Sequence, residues 1–134
     1  LGPWGRYEQH ISGDIAVAVR HYWYATRDRE WLREVGYPLA NGTASFYFAR
    51  TEPRADGDFD LRRVMGPDEY AFPVDNSGYT NAVAQLSMRF AAEAARELGI
   101  YSRCHEDFES RARRLPIPQS RGSPPGRQDL GEGG

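Results

Sequence analysis

The amino-acid sequence predicts an all-α fold, and three observations carry that expectation. Apolar side chains return at three- and four-residue intervals over residues 9–26, 39–51 and 79–98. The breaks between these stretches hold Gly or Pro, which end or start helices and do not continue them. Only residues 59–65, FDLRRVM, alternate in the manner of a strand.

Taken in order, QHISGDIAVAVRHYWYAT (9–26) sets Ile11, Ile15, Ala18, Val19 and Tyr22 at helical spacing, with Ser12 or Asp14 near the first turn. It predicts a mostly buried helix. RDREWLREVG (27–36) predicts one or two helical turns stopped by Gly36, with Trp31, Leu32 and Val35 on one side. Pro38 suits the start of a second long helix in which Leu39, Phe46 and Ala49 repeat. After the turn-rich TEPRADGD and the extended run FDLRRVM comes a loop, GPDEYAFPVDNSGYTN, residues 66–81. The strongest helical pattern follows, with Val83, Leu86, Phe90, Ala94 and Leu98 on one face and Gly99 as the stop. YSRCHEDFESRARRL (101–115) predicts a last amphipathic helix closed by LPIP. Residues 119–134 hold five Gly and two Pro with almost no apolar side chains, a composition that predicts a disordered tail.

The 134 residues suit one domain, and 40% apolar with 13% aromatic residues can support one core. Net charge is -2, so no global basic field draws nucleic acid or an anionic membrane. All 17 cationic side chains are Arg, which excludes lysine chemistry within these residues. Cys104 is the single cysteine, expected as a buried or inert thiol. No apolar run approaches a membrane span, and the first ten residues lack the regions of a signal peptide. A cytoplasmic location is the expectation. No histidine pair has the spacing of metal ligands with a carboxylate, so neither metal nor cofactor is expected.

The loop gathers the chemistry. Pro67 keeps Asp68 and Glu69 out of a helix, and adjacent residues in extended backbone point opposite ways. The two carboxylates therefore take different roles. Desolvation by Pro67, Tyr70, Phe72 and Pro73 would raise a carboxyl pKa toward neutrality, which makes Glu69 the candidate proton donor and leaves Asp68 to brace the turn. Tyrosines and asparagines nearby suit a sugar, whose faces stack on rings and whose hydroxyls need planar polar partners. Glu8 and His10, ahead of the first helix, form a second candidate rim. Composition alone favours an ordinary surface turn and a set of helix caps.

The motifs EQHISGDIAVAVRHYWYATRDREWL, GYPLANGTASFYFAR and VMGPDEYAFPVDNSGYTNAVAQLSMRFAAEAARELG, in this order, resemble the catalytic domain of glycoside hydrolase family 65 over about residues 7–118. The resemblance implies part of an (α/α)6 barrel for residues 1–118, with 119–134 outside it. It implies inverting cleavage of α-glucosides with Glu69 as general acid, and Glu8, His10, Asp68, Tyr70, Asn76 and Tyr79 around the sugar pocket. Hydrolysis of a terminal glucosyl residue is the favoured reading. A disaccharide phosphorylase and a non-catalytic helical fragment are the alternatives. The implied partner is a carbohydrate, with a homo-oligomeric parent enzyme. Twelve barrel helices need at least roughly 200 residues, so only four or five fit here. The family's Trp-Asp motif would lie upstream and its Lys-Gln motif downstream of this stretch.

Overall fold

The computed structural model describes residues 9–62 and 76–117. They form α1 (His10–Thr26), a single turn α2 (Arg29–Trp31), a π-helical turn (Leu32–Gly36), α3 (Tyr37–Arg50), β1 (Glu52–Pro53), β2 (Phe59–Asp60), α4 (Gly78–Glu97) and α5 (Arg103–Arg113). The expected all-α class holds. The extended run contributes only a two-residue strand, antiparallel to β1, with Glu52 opposite Asp60 and Pro53 opposite Phe59.

The longest helix, α4, is the centre of the layer and packs against α1, α3 and α5. Its small side chains allow this: Ala84, Ser87, Ala91, Ala92, Ala94 and Ala95 are fully buried, so neighbouring helices approach on more than one side. Larger groups fill the space between them, chiefly Trp23, Leu32, Tyr47, Leu61, Met88, Phe90 and Leu115. Each such burial contributes about 1.5–3 kcal/mol. The helix begins at Ser77, whose Oγ accepts the Thr80 N–H, and ends before Gly99, which has φ of 75°.

Three expectations are corrected. In α1 the buried residues are Gly13, Ala16, Val19 and Trp23, whereas Ile11, Ile15 and Tyr22 are exposed. In α3 they are Ala40, Thr43, Ala44 and Tyr47, whereas Leu39, Phe46 and Ala49 are exposed. Both helices carry two apolar faces, and the buried face of each combines small residues with one large aromatic ring, Trp23 in α1 and Tyr47 in α3. The displaced Ile15, Leu39 and Phe46 line an open groove with Pro38 and Gly42.

Gly36 does not stop a helix. It stays helical at φ -65°, ψ -49°, and α3 continues directly from the π turn. A Cβ there would lie 2.8 Å from Trp31 Cζ3, so glycine is required by the indole packed over the backbone and not by termination. Cys104 is a free, exposed thiol in the first turn of α5. The expected disorder of 119–134 concerns residues outside those described.

His105 anchors α5. Its Nδ1 accepts the Ser102 N–H at 2.9 Å, which places the proton on Nε2, and Nε2 donates to Tyr37 Oη at 2.6 Å. The Tyr37 hydroxyl is then free to donate to Asn41 Oδ1 at 3.2 Å. The ring is 2% exposed, and burial pushes its pKa below 6.5, with the Glu109 charge acting upward and Arg96 downward.

Two outcomes are expected. Gly13→Ala would set a Cβ 2.4 Å from Val83 Cγ2 and should cost about 1–3 kcal/mol, measured by urea unfolding. For His105, the folded chain binds the proton less readily than the unfolded chain, so its contribution is complete above pH 6.5 and is lost as pH falls below that value. The unfolding free energy should therefore decline from pH 7 toward pH 5, and His105→Gln should flatten that decline.

Candidate active site

Of the residues singled out in the sequence, Glu8, Asp68, Glu69 and Tyr70 lie outside the described residues. His10, Asn76 and Tyr79 lie within them: His10 and Tyr79 on the first turns of α1 and α4, and Asn76 just before α4. The start of α1 is held to α4 and to α3 by two contacts. Gly13 sits against Val83 of α4, and Tyr47 of α3 reaches Gly13. The Tyr47 hydroxyl accepts the Gly13 N–H at 2.9 Å and donates to Gln9 O. It is thus inserted into what would be the first i to i-4 bond of α1. Burial pushes its pKa well up, opposed by the Gly13 N–H and assisted by the charges of Asp14 and Tyr79, so the phenol stays protonated and keeps its donor.

Above this joint, His10 and Tyr79 meet edge to face, with ring centroids 5.5 Å apart and planes at 75°. Asp14, one turn after His10 on the same helix face, accepts the Tyr79 hydroxyl at 2.5 Å. That hydrogen bond first, then burial and the Asp14 charge, hold the Tyr79 pKa above its ordinary value. A carboxylate, an imidazole and a half-exposed phenol are therefore gathered at one end of the helix layer. The three offer an acceptor, a ring edge and an aromatic face, the inventory that a polyhydroxylated ligand requires. Asp14 was noticed in the sequence only as a helix-start residue. The i, i+4 spacing from His10 was the signal that it shares a face with a site candidate.

Asn76 occupies a different position. Its φ is 57°, in the left-handed region that Asn tolerates, and its backbone N–H donates to Leu61 O at 2.7 Å. The amide oxygen accepts the Leu61 N–H at 2.9 Å and Asn81 Nδ2 at 3.0 Å, while Nδ2 donates to Asp60 Oδ1 at 2.9 Å. Both acceptor positions and one N–H of the amide are engaged by protein. Asp60 is 9% exposed. Burial raises its pKa, but hydrogen bonds from Asn76 and Arg62 and the charges of Arg54 and Arg62 outweigh that and hold the carboxyl below its usual range. Arg62 Nη2 is 3.0 Å and Arg54 Nη1 3.5 Å from it. Asn81, fully buried, also donates to Pro116 O at 2.7 Å.

Among the described residues, no three His, Cys, Asp or Glu side chains are grouped as metal ligands would be. No described helix is long and apolar enough to cross a membrane.

Residues 3–116 match the glycosyl hydrolase family 65 central catalytic domain. The chain belongs to that family. It is 38% identical over 96 residues to the kojibiose hydrolase of Flavobacterium johnsoniae, covering 72% of this chain and 14% of that protein. It is 39% identical over 96 residues to the protein-glucosylgalactosylhydroxylysine glucosidase of Dictyostelium discoideum, covering 71% of this chain and 14% of that protein. The solved structure of the "Putative kojibiose phosphorylase from human microbiome" superposes with a TM-score of 0.69 over 84% of this chain and 18% of that one, at 19% identity. That likeness concerns the fold, and with the family match it makes the helical layer part of a family 65 (α/α) barrel. The chain spans about one seventh of the length of the two relatives.

The Tyr47 bridge is open to test. Tyr47→Phe removes one donor and one acceptor from a buried joint and should destabilise the chain by about 1–3 kcal/mol, read as a lowered urea midpoint at unchanged slope.

Proposed function

We propose that this chain is part of an inverting enzyme that cleaves α-glucosides, and that Glu69 is its general acid. The carrying observation is the GPDEY motif within the matched stretch 3–116, in a segment that runs between Leu61 and Asn76, two residues hydrogen-bonded to each other. Loops held on a rigid helical frame are where groups of this kind are presented. Glu69 would protonate the leaving glycosidic oxygen while a nucleophile attacks the anomeric carbon from the opposite face of the ring. His10 and Tyr79 would line the sugar pocket with Glu8, Asp68 and Tyr70.

Hydrolysis of a terminal glucosyl residue from a disaccharide or glycoconjugate is the favoured reaction, in keeping with the names of the two sequence relatives. A disaccharide phosphorylase shares the acid and differs in the nucleophile, phosphate replacing water. Residues 1–118 then form one part of the barrel, with 119–134 outside it. One acid without its base and sugar clamp lacks most of the transition-state stabilisation, so turnover by the 134 residues alone is expected to be nil or very low.

In the complete reading frame containing this segment, Glu69→Gln keeps the shape and removes the transferable proton. Its kcat on natural α-glucosides should fall by about 10²–10⁴-fold, and near-normal turnover would refute the assignment. Assaying the unmodified enzyme with and without phosphate separates the two reactions, because glucose 1-phosphate as product would replace the hydrolase reading.

A further inference from the structure

Asp14 lacks the ordinary structural reasons for a carboxylate in a helix. The first turn of α1 holds no acidic side chain and its N-cap makes no side-chain hydrogen bond, so Asp14 neither caps the helix nor stands where the helix dipole acts. Asp56, Asp60, Glu97 and Glu109 each meet an arginine. Among the described residues Asp14 meets none, and its carboxylate takes a single hydrogen bond, from the Tyr79 hydroxyl to Oδ1 at 2.5 Å. Oδ2 stays open on an exposed residue. The charge, without a cation beside it, acts on two phenols and holds the pKa values of Tyr47 and Tyr79 up. Tyr79 donates its proton to Asp14, so its oxygen keeps acceptor capacity, and 45% of the residue is exposed. His10, edge to face with that ring, has a buried Nδ1 without a hydrogen-bond partner. Polar groups that the protein leaves unmatched are therefore set against an exposed aromatic ring.

We propose that Asp14 is a substrate-binding residue whose Oδ2 accepts one hydroxyl of the glucosyl ring, with the Tyr79 ring as the apolar surface next to it. This rests on the reading of the chain as part of an enzyme that cleaves α-glucosides, and it holds whichever residue is the acid. A metal ion is a poor fit, because no group of three ligating side chains exists among the described residues. A sugar fits all three features: its hydroxyl donates to the open carboxylate oxygen, a neighbouring hydroxyl donates to the phenol oxygen, and its C–H face lies on an aromatic ring. The hydrogen bond from Tyr79 fixes Oδ1, so the carboxylate is already oriented and loses little freedom when the ligand binds. A hydrogen bond from a neutral hydroxyl to a charged acceptor is among the stronger ones, which makes Asp14 a group that reads the presence of one particular hydroxyl.

The test measures kcat/KM of the complete enzyme on its α-glucoside and on a set of analogues that each lack one hydroxyl of the glucosyl ring. The unmodified enzyme should lose about 10–100-fold on the analogue without the hydroxyl that Asp14 accepts. Asp14→Ala should lower kcat/KM on the intact glucoside by about the same factor, and on that one analogue the further penalty should shrink to within about threefold, with the penalties at the other positions unchanged. Each penalty is a ratio measured on one enzyme, so the fraction folded cancels and a merely structural role would leave every penalty as it was. Tyr79→Phe breaks the same internal hydrogen bond but keeps the carboxylate, and should retain the penalty that Asp14→Ala removes. Unchanged penalties in Asp14→Ala, or the same loss of a penalty in Tyr79→Phe, would overturn this contact alone. An unmodified enzyme that turns over no α-glucoside would overturn the proposed function and the contact with it.

Discussion

The joint between the first turns of α1 and α4 is the contact on which the rest of the structure depends. Gly13 lets Val83 approach to a distance that any Cβ would forbid, and the Tyr47 hydroxyl enters the gap to carry the hydrogen bond from Gly13 to Gln9. The packing of Gly13 on Val83 and the Tyr47 bridge to Gly13 and Gln9 meet at the same spot on α1. The Tyr79 to Asp14 hydrogen bond and the His10 ring lie on the same pair of helix starts and inherit their placement from it.

A second constraint lies at the start of α4, where Asn76 precedes the helix and Asn81 stands in its first turn. There the chain uses charge and amide groups in place of apolar ones: Asp60, Asn76 and Asn81 form a connected set, with Arg54 and Arg62 neutralising the buried carboxylate. A buried polar network of this kind specifies geometry through its satisfied members, while among the described residues Asn81 Oδ1 is buried without a hydrogen-bond partner. The Arg111 guanidinium provides a similar tie nearby, lying between the Phe48 and Phe59 rings while bonding Phe48 O and Thr51 Oγ1.

The exposed apolar side chains of α1 and α3 mark how the layer relates to a barrel. Ile11, Ile15, Leu39 and Phe46 are on the side turned away from α4, and Ile15, Leu39 and Phe46 border an open groove. A helix in a barrel has neighbours on two sides, and this chain supplies only part of the set of a family whose members are about seven times longer. Two apolar faces on one helix are therefore what the architecture asks for, and periodicity read from one chain could not say which face meets which neighbour.

By itself the sequence determined the class of fold, the presence and order of the long helices, the stop at Gly99 and the motif that leads to family 65, because each rests on local periodicity, backbone chemistry or a contiguous string of residues. It also brought out His10, Asn76 and Tyr79 as residues worth following. Only the tertiary structure decided that Gly36 is a packing residue, which of their two apolar faces α1 and α3 bury, that Asp14 joins His10 and Tyr79, and that Asn76 fastens Leu61. Three of these are contacts between residues remote in sequence or a choice between two apolar helix faces, and Gly36 packs under Trp31 five residues earlier; none of them is encoded in the periodicity of one segment.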